Sequence, residues 1–363
     1  MELLTYAEGS KKLKRTYNIS LAKLAGFRKI HPILLLKKLW NEVFNRTTRK
    51  QKALPAGKVK KTYQDKLSFI ICTMGESDTL PQTIRSLRQQ EIGESFEIIL
   101  VDNSPQGIFL PLKAEDSIRY VRVPELGLSR ARNAGAKAAK GEYLFYIDDD
   151  AVADPRAAAG MLEAFRRHKK AGVVGGQILL ELPVPAPLVF VPGRESVWSG
   201  YAVKYQKYRE VREQYAFPYG ACFGIRHSVF EAIGGFPESY GRTGHDYAGG
   251  EETAVCFDVL RLGYRIGIMP SVVVYHHVAP ERFTKEHIRK TIRAGILTTH
   301  RLYLDGHAPE GWTKDYVSMR IDIARKEIQD LCRRGNEREA FYTKCEQEAF
   351  LELYSYMEDR GVS

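Results

Sequence analysis

Cysteine is scarce: five in 363 residues, at positions 72, 222, 256, 332 and 345. None forms a CxxC pair, which argues against a zinc site. Their wide spacing in a long chain argues against a disulfide framework and fits a reducing compartment. No uninterrupted apolar run reaches ~18 residues, so no membrane-spanning helix is expected. Residues 1–15 lack the apolar core of a signal peptide. No internal repeat is visible.

What is present is an ordinary globular composition, 44% hydrophobic and 27% charged, which excludes disorder and collagen as whole-chain descriptions. The length fits about two units at ~150 residues each. Charge is uneven. Residues 1–66 carry 17 Lys and Arg against 4 Asp and Glu, whereas the remainder is close to neutral. A nucleic-acid-binding surface would be basic across the folded body, so no nucleic-acid partner is expected. Within the basic arm, Leu21, Leu24, Phe27 and Ile30 recur at helical spacing, and Pro32 divides two short helices. The second is the more apolar, with Leu34, Leu35, Leu36, Leu39, Trp40 and Phe44. Residues 20–46 therefore suit either an anionic membrane interface or packing against C-terminal helices. A cytoplasmic protein, peripheral on the inner membrane face in the first case, is the expectation.

Beyond a basic linker at 47–66, short apolar runs at 67–72, 97–102, 118–123, 143–148 and 173–180 read as strands. Helical patterns at 79–90 and 129–140 alternate with them, and Asp154-Pro155 reads as the start of a helix to about 169. This alternation predicts βαβ units and a mainly parallel sheet. Residues 181–218 are proline-rich, then tyrosine-rich, and read as a long functional loop. Helices are expected at 228 and 253–262, strands at 265–269 and 271–276, and helices from 284 onward, broken at 309–311.

Asp148, Asp149 and Asp150 end an apolar strand, where open parallel sheets bind ligands. In an extended backbone Asp148 and Asp150 share a side, an arrangement suited to Mg2+ or Mn2+. The alternative is a solvated acidic turn. Asp102 ends a neighbouring strand and suits a base or ribose contact, or a plain Asx turn. Arg130 and Arg132 lie in the first turn of a helix, where the dipole disfavours cations, which points to an anionic ligand or to arginines in solvent. Glu251 and Glu252 open another helix as catalytic carboxylates or as favourable N-terminal acids. His276 and His277 end a strand and become metal ligands if Asp150 shares their crevice.

Taken together, residues 67–277 resemble the family 2 glycosyltransferases of GT-A fold. The resemblance rests on the run 68–73, on Ile99-Leu-Val-Asp-Asn-Ser, and on Gly127-Leu-Ser-Arg-Ala-Arg-Asn-Ala-Gly135 followed by Gly141-Glu-Tyr-Leu-Phe-Tyr-Ile-Asp-Asp-Asp150. It extends to Gly220-Ala-Cys-Phe-Gly-Ile-Arg226, Ile233-Gly-Gly-Phe236, Gly250-Glu-Glu252 and Val274-Tyr-His-His277. Cys72 stands where proline is usual, and Glu252 where aspartate is commoner. The resemblance implies an α/β fold with a mostly parallel sheet flanked by helices, over residues 67–283, between a basic helical arm (1–66) and a C-terminal helical extension (284–363). It implies an inverting transfer from a nucleotide diphosphate sugar to a hydroxyl of a glycan or lipid-linked acceptor, with Mn2+ or Mg2+.

The roles that the resemblance implies are catalytic for Glu252 and Glu251, and donor-binding for Thr73, Asp102, Arg130, Arg132, Asn133, Asp148 and Asp149. Asp150, Asp148, His276 and His277 would hold the metal. Gly220, Ala221 and Cys222 would face the acceptor. The aromatics of 181–218, led by Trp198, suit sugar faces or pack the loop onto the body. A nucleotidyltransferase acting on a sugar phosphate and a non-catalytic sugar-nucleotide-binding protein are the competing classes. The single glycine after the first strand argues against the former, the intact acids against the latter.

Overall fold

The computed structural model describes residues 63–75, 77–107, 118–243, 247 and 249–360. The helices expected within 20–46, and the choice between membrane and protein contact for that segment, lie outside the described residues.

Strand β1 (Asp65–Thr73) is followed by α1 (Leu80–Arg88), β2 (Phe96–Asp102), β3 (Ile118–Arg122), α2 (Leu128–Ala138) and β4 (Gly141–Asp148). Then come β5 (Ala151–Ala153), α3 (Ala157–Arg167), β6 (Ala171–Glu181), β7 (Arg209–Val211), β8 (Phe223–Arg226), α4 (His227–Ile233), α5 (Glu251–Arg261) and β9 (Arg265–His277). The sheet order is β3-β2-β1-β4-β8-β6-β9-β5, with β7 on β9. β3, β2, β1 and β4 are all parallel, as the alternation predicts, but β8 runs antiparallel between β4 and β6. The sheet is thus parallel in one half and mixed in the other.

Both faces are covered. Leu67, Phe69 and Ile71 of β1 join α1 and α3 in one core, while Gly135 of α2 packs so closely on Ile70 and Val101 that a Cβ there would lie 2.5 Å from the Ile70 side chain. Burial on both faces is why these strands are continuous apolar runs. The two strands expected at 265–276 are one. Pro270 falls opposite a register shift between Gly175 and Gln177, and its carbonyl accepts from Gln177 Nε2. The missing proline N–H therefore does not break the strand. α3 begins at Ala157 instead of at Pro155, because Asp154 Oδ1 accepts the Arg156 N–H in a local turn.

Three helices close the chain: α6 (Lys285–Leu304), α7 (Lys314–Arg333) and α8 (Glu337–Asp359). Thr284, Thr313 and Asn336 cap them through their side chains. Val317, Ile321, Phe350, Leu353 and Met357 form their shared core. α8 also grips the loop after β6: Tyr342 Oη donates to the Val189 carbonyl, and Arg194 pairs with Glu339 and Glu346. No helix among the described residues is long and apolar enough to cross a membrane.

Candidate active site

β4 delivers Asp148, Asp149 and Asp150 to the carboxyl end of the sheet. The turn is pinned from below, where the Asp149 carbonyl accepts from Ser77, Thr79 and Thr83 hydroxyls, and Thr73 Oγ1 donates to the Asp149 carboxylate. Asp149 is thereby held against β1. Burial, with Asp150 close by, pushes its carboxyl up to about 7.

Asp148 and Asp150 face His276, and one ligand-type atom from each lies within 4.8 Å of the others. The short β5 brings this about, since it pairs Ala151 with His276 directly. His276 Nδ1 is 3.0 Å from the Trp198 carbonyl, which only accepts, so this nitrogen carries the proton. Nε2 is left facing Asp150 Oδ1 at 3.1 Å. In a neutral ring that places a nitrogen lone pair against a carboxylate oxygen, an arrangement that a cation between them would relieve. Two carboxylates and one imidazole whose other nitrogen is anchored make a donor set that fits Mn2+ or Mg2+. Burial raises the Asp148 carboxyl above the ordinary range, whereas burial at Asp150 is outweighed by His276 when its ring carries both protons, together with Arg282, so that this carboxyl is held below.

On the other flank stands Arg132, buried on α2. Its Nη1 donates to Glu251 Oε1 at 2.6 Å and to Glu252 Oε1 at 3.0 Å, and its Nη2 lies 3.4 Å from Asp148 Oδ1. Glu251 and Glu252 open α5. Burial, reinforced by the neighbouring Glu252, pushes Glu251 up to about 8, and its Oε2 is buried with no hydrogen-bond partner. Glu252 is the more accessible of the two.

Residues 68–234 match the family described as Glycosyl transferase family 2. Over this segment, a little under half of its length, the chain is similar to family 2 glycosyltransferases. The matched segment contains the parallel strands β1 to β4 and the acidic triplet at the end of β4. The chain is 24% identical over 201 residues to a glucosyl-dolichyl phosphate glucuronosyltransferase of Haloferax volcanii, covering 53% of this chain and 63% of that one. It is 32% identical over 114 residues to a poly-beta-1,6-N-acetyl-D-glucosamine synthase of Staphylococcus epidermidis, covering 30% and 28%. A crystal structure of S. aureus TarS aligns at 19% identity with a TM-score of 0.40, over 64% of this chain and 40% of that one. The chain thus spans less than two thirds of each.

Several residues expected in the family 2 site sit elsewhere. Asp102 is wholly buried, and its oxygens are engaged by Ser104, Tyr120 and Arg122. Arg130 pairs with Glu238 in solvent. Asn133 clamps the backbone N–H and carbonyl of Phe236. His277 is exposed, because alternation along β9 turns it away from His276. Ala221 and Cys222 are closed into the core, leaving Gly220 against Arg132 and Glu252.

Trp198 is fully buried among Phe190, Phe283 and Val278, and its indole N–H donates to the Arg282 carbonyl. It cannot offer a face to a sugar. The other aromatics of this loop largely pack it onto the body: Tyr201 Oη donates to the Ala216 carbonyl, and Tyr208 stacks on His168.

Sequence reasoning missed Arg282, whose Nη1 is 3.5 Å from Asp150 Oδ2 and whose Nε is buried without a hydrogen-bond partner. It lies past the last motif, and its only signal was an arginine soon after the His pair.

Proposed function

We propose that this protein moves a sugar, with inversion, from a nucleotide diphosphate sugar to a hydroxyl of a glycan or lipid-linked acceptor. The observation that carries the reading is the spacing of two unlike acid groups about one guanidinium. Asp148, with Asp150 and His276, lies on one side of Arg132, and Glu252 on the other. The Haloferax relative, named for a lipid-linked substrate, and the staphylococcal relative, named for a glycan, support this acceptor class.

Glu252 takes the proton of the acceptor hydroxyl as that oxygen bonds to the anomeric carbon. The bond from that carbon to the diphosphate breaks on the opposite face, and its electron pair leaves with the diphosphate. Arg282, its Nε unengaged, offers a cation to the leaving phosphates. Asp148, Asp150 and His276 would hold Mn2+ or Mg2+, which when bound offsets the charge gathering on the diphosphate. In this division residues 67–283 form the transfer module, 284–363 a helical buttress and 1–66 a basic arm.

The test is Glu252→Gln, with UDP-glucose, UDP-glucuronate and UDP-N-acetylglucosamine screened first for Mn2+-dependent UDP release. On the substrate turned over, kcat falls roughly 10²–10⁴-fold with donor affinity little changed. Preserved kcat with weakened donor binding would instead make Glu252 a binding residue.

A further inference from the structure

Arg132 does more than balance charge. Its side chain is 3% exposed, lies against the Phe236 ring, and spends its recorded polar contacts on three carboxylates from two elements: Asp148 at the end of β4, and Glu251 and Glu252 at the start of α5. The planar guanidinium offers its donors in a fixed fork, so three acid partners leave it little freedom. The chain around it is shaped to the same contact. A Cβ at Gly220 would lie 2.0 Å from Arg132 Nη2 and 2.3 Å from Glu252 Oε1. Only glycine leaves both side-chain ends where they are.

We propose that Arg132 is a positioning residue for the transfer: its guanidinium sets the distance between the Glu252 carboxylate and Asp148, and hence between the proton acceptor and the donor's diphosphate, without touching the donor. The proposal rests on Glu252 being the base. It replaces the expected role of Arg132 as a donor ligand, because the guanidinium is enclosed by acids and not presented to the crevice. A misplacement of about 1 Å in such a constellation costs on the order of 10²-fold in rate.

The experiment is a double-mutant cycle of Arg132→Lys and Glu252→Gln in the full chain, with UDP release from the sugar nucleotide that the wild type hydrolyses as the rate. Mn2+-dependent UDP binding by calorimetry and thermal unfolding accompany it. Lysine keeps the buried positive charge, so the fold has its counter-ion, but its compact ammonium lacks the two-nitrogen fork that holds Asp148 on one side and the two glutamates on the other. Arg132→Lys should lower kcat roughly 10²-fold while UDP affinity stays within about threefold. In the Glu252→Gln background the same change should cost less than about threefold more, since the group that it positions is already inactive.

Gly220→Ala provides the second variant, with Arg132 itself untouched. It displaces only the flexible ends of Arg132 and Glu252, and should show the same loss of kcat without loss of UDP affinity. If the losses in the cycle multiply, or UDP affinity collapses with kcat preserved, Arg132 is not a positioning residue while Glu252 remains the base. A fully active Glu252→Gln overturns both readings at once, so the two failures are distinct.

Discussion

The backbone carbonyl of Trp198 fixes the ring of His276. Through that 3.0 Å contact, a residue deep in the 181–218 loop decides which imidazole nitrogen faces Asp150. Because α8 grips the same loop at Val189 and Arg194, the C-terminal helices help hold the metal-type cluster in place.

Trp198→Ala should therefore behave as a core and positioning variant, not as an acceptor-site variant. Emptying a fully buried tryptophan costs about 3–5 kcal/mol, read from denaturant unfolding. Mn2+ affinity, read by calorimetry, should fall roughly 10–100-fold as the His276 support loosens. Unchanged Mn2+ affinity in a folded variant would show that the carbonyl contact does not matter.

The two neighbouring histidines should separate cleanly. His276→Ala should weaken Mn2+ binding at least about tenfold, whereas His277→Ala, whose side chain points to solvent, should leave it unchanged. Equal effects would mean that the alternation along β9 does not set the ligand.

Stability of the metal-free protein should fall as pH rises from about 5 to 8.5. Folding raises the pKa of Asp149 to about 7 and of Glu251 to about 8, both far above their unfolded values. The folded state therefore binds more protons across this window, and stability present at low pH is lost as each group ionises. Asp150, held below the ordinary carboxylate range, acts in the opposite sense but only in more acidic solution. Denaturant midpoints at pH 5 and 8.5 test this. Glu251→Gln should be relatively more stabilising at the higher pH, and an equal effect at both would refute the assignment.

The basic arm yields a prediction from sequence alone. The full chain should co-sediment with anionic vesicles at low salt, and a chain lacking residues 1–60 should not. Equal behaviour of the two would favour a structural role for the arm.

The sequence carried the sheet because strands buried on both faces leave uninterrupted apolar runs, as at Leu67, Phe69, Ile70 and Ile71. It could not carry β5 or β7, which are three residues each and too short for any periodicity. The site was legible where side-chain type and place in the fold agree, as with Asp148, Asp150 and His276. It was less legible where type alone was the guide. Asp102 and Trp198 have the chemistry of ligand contacts, but burial had already committed them to Tyr120, Arg122 and the Arg282 carbonyl. The partners of Arg132 were invisible for a different reason: Glu251 and Glu252 are far away along the chain, and nothing local marks the pairing.

The placement of β8 and β9 also bears on synthesis. All of the parallel quartet β3-β2-β1-β4 has been made when residue 148 has left the ribosome, although its core still awaits side chains from α3, β6 and β9. His276 and Arg282, which balance Asp150, have not yet been made at that stage. A nascent chain thus carries an acidic turn whose carboxylates repel one another until β9 docks beside β6. A product truncated before β9 would lack both the His276 ligand-type nitrogen and the Arg282 cation beside Asp150.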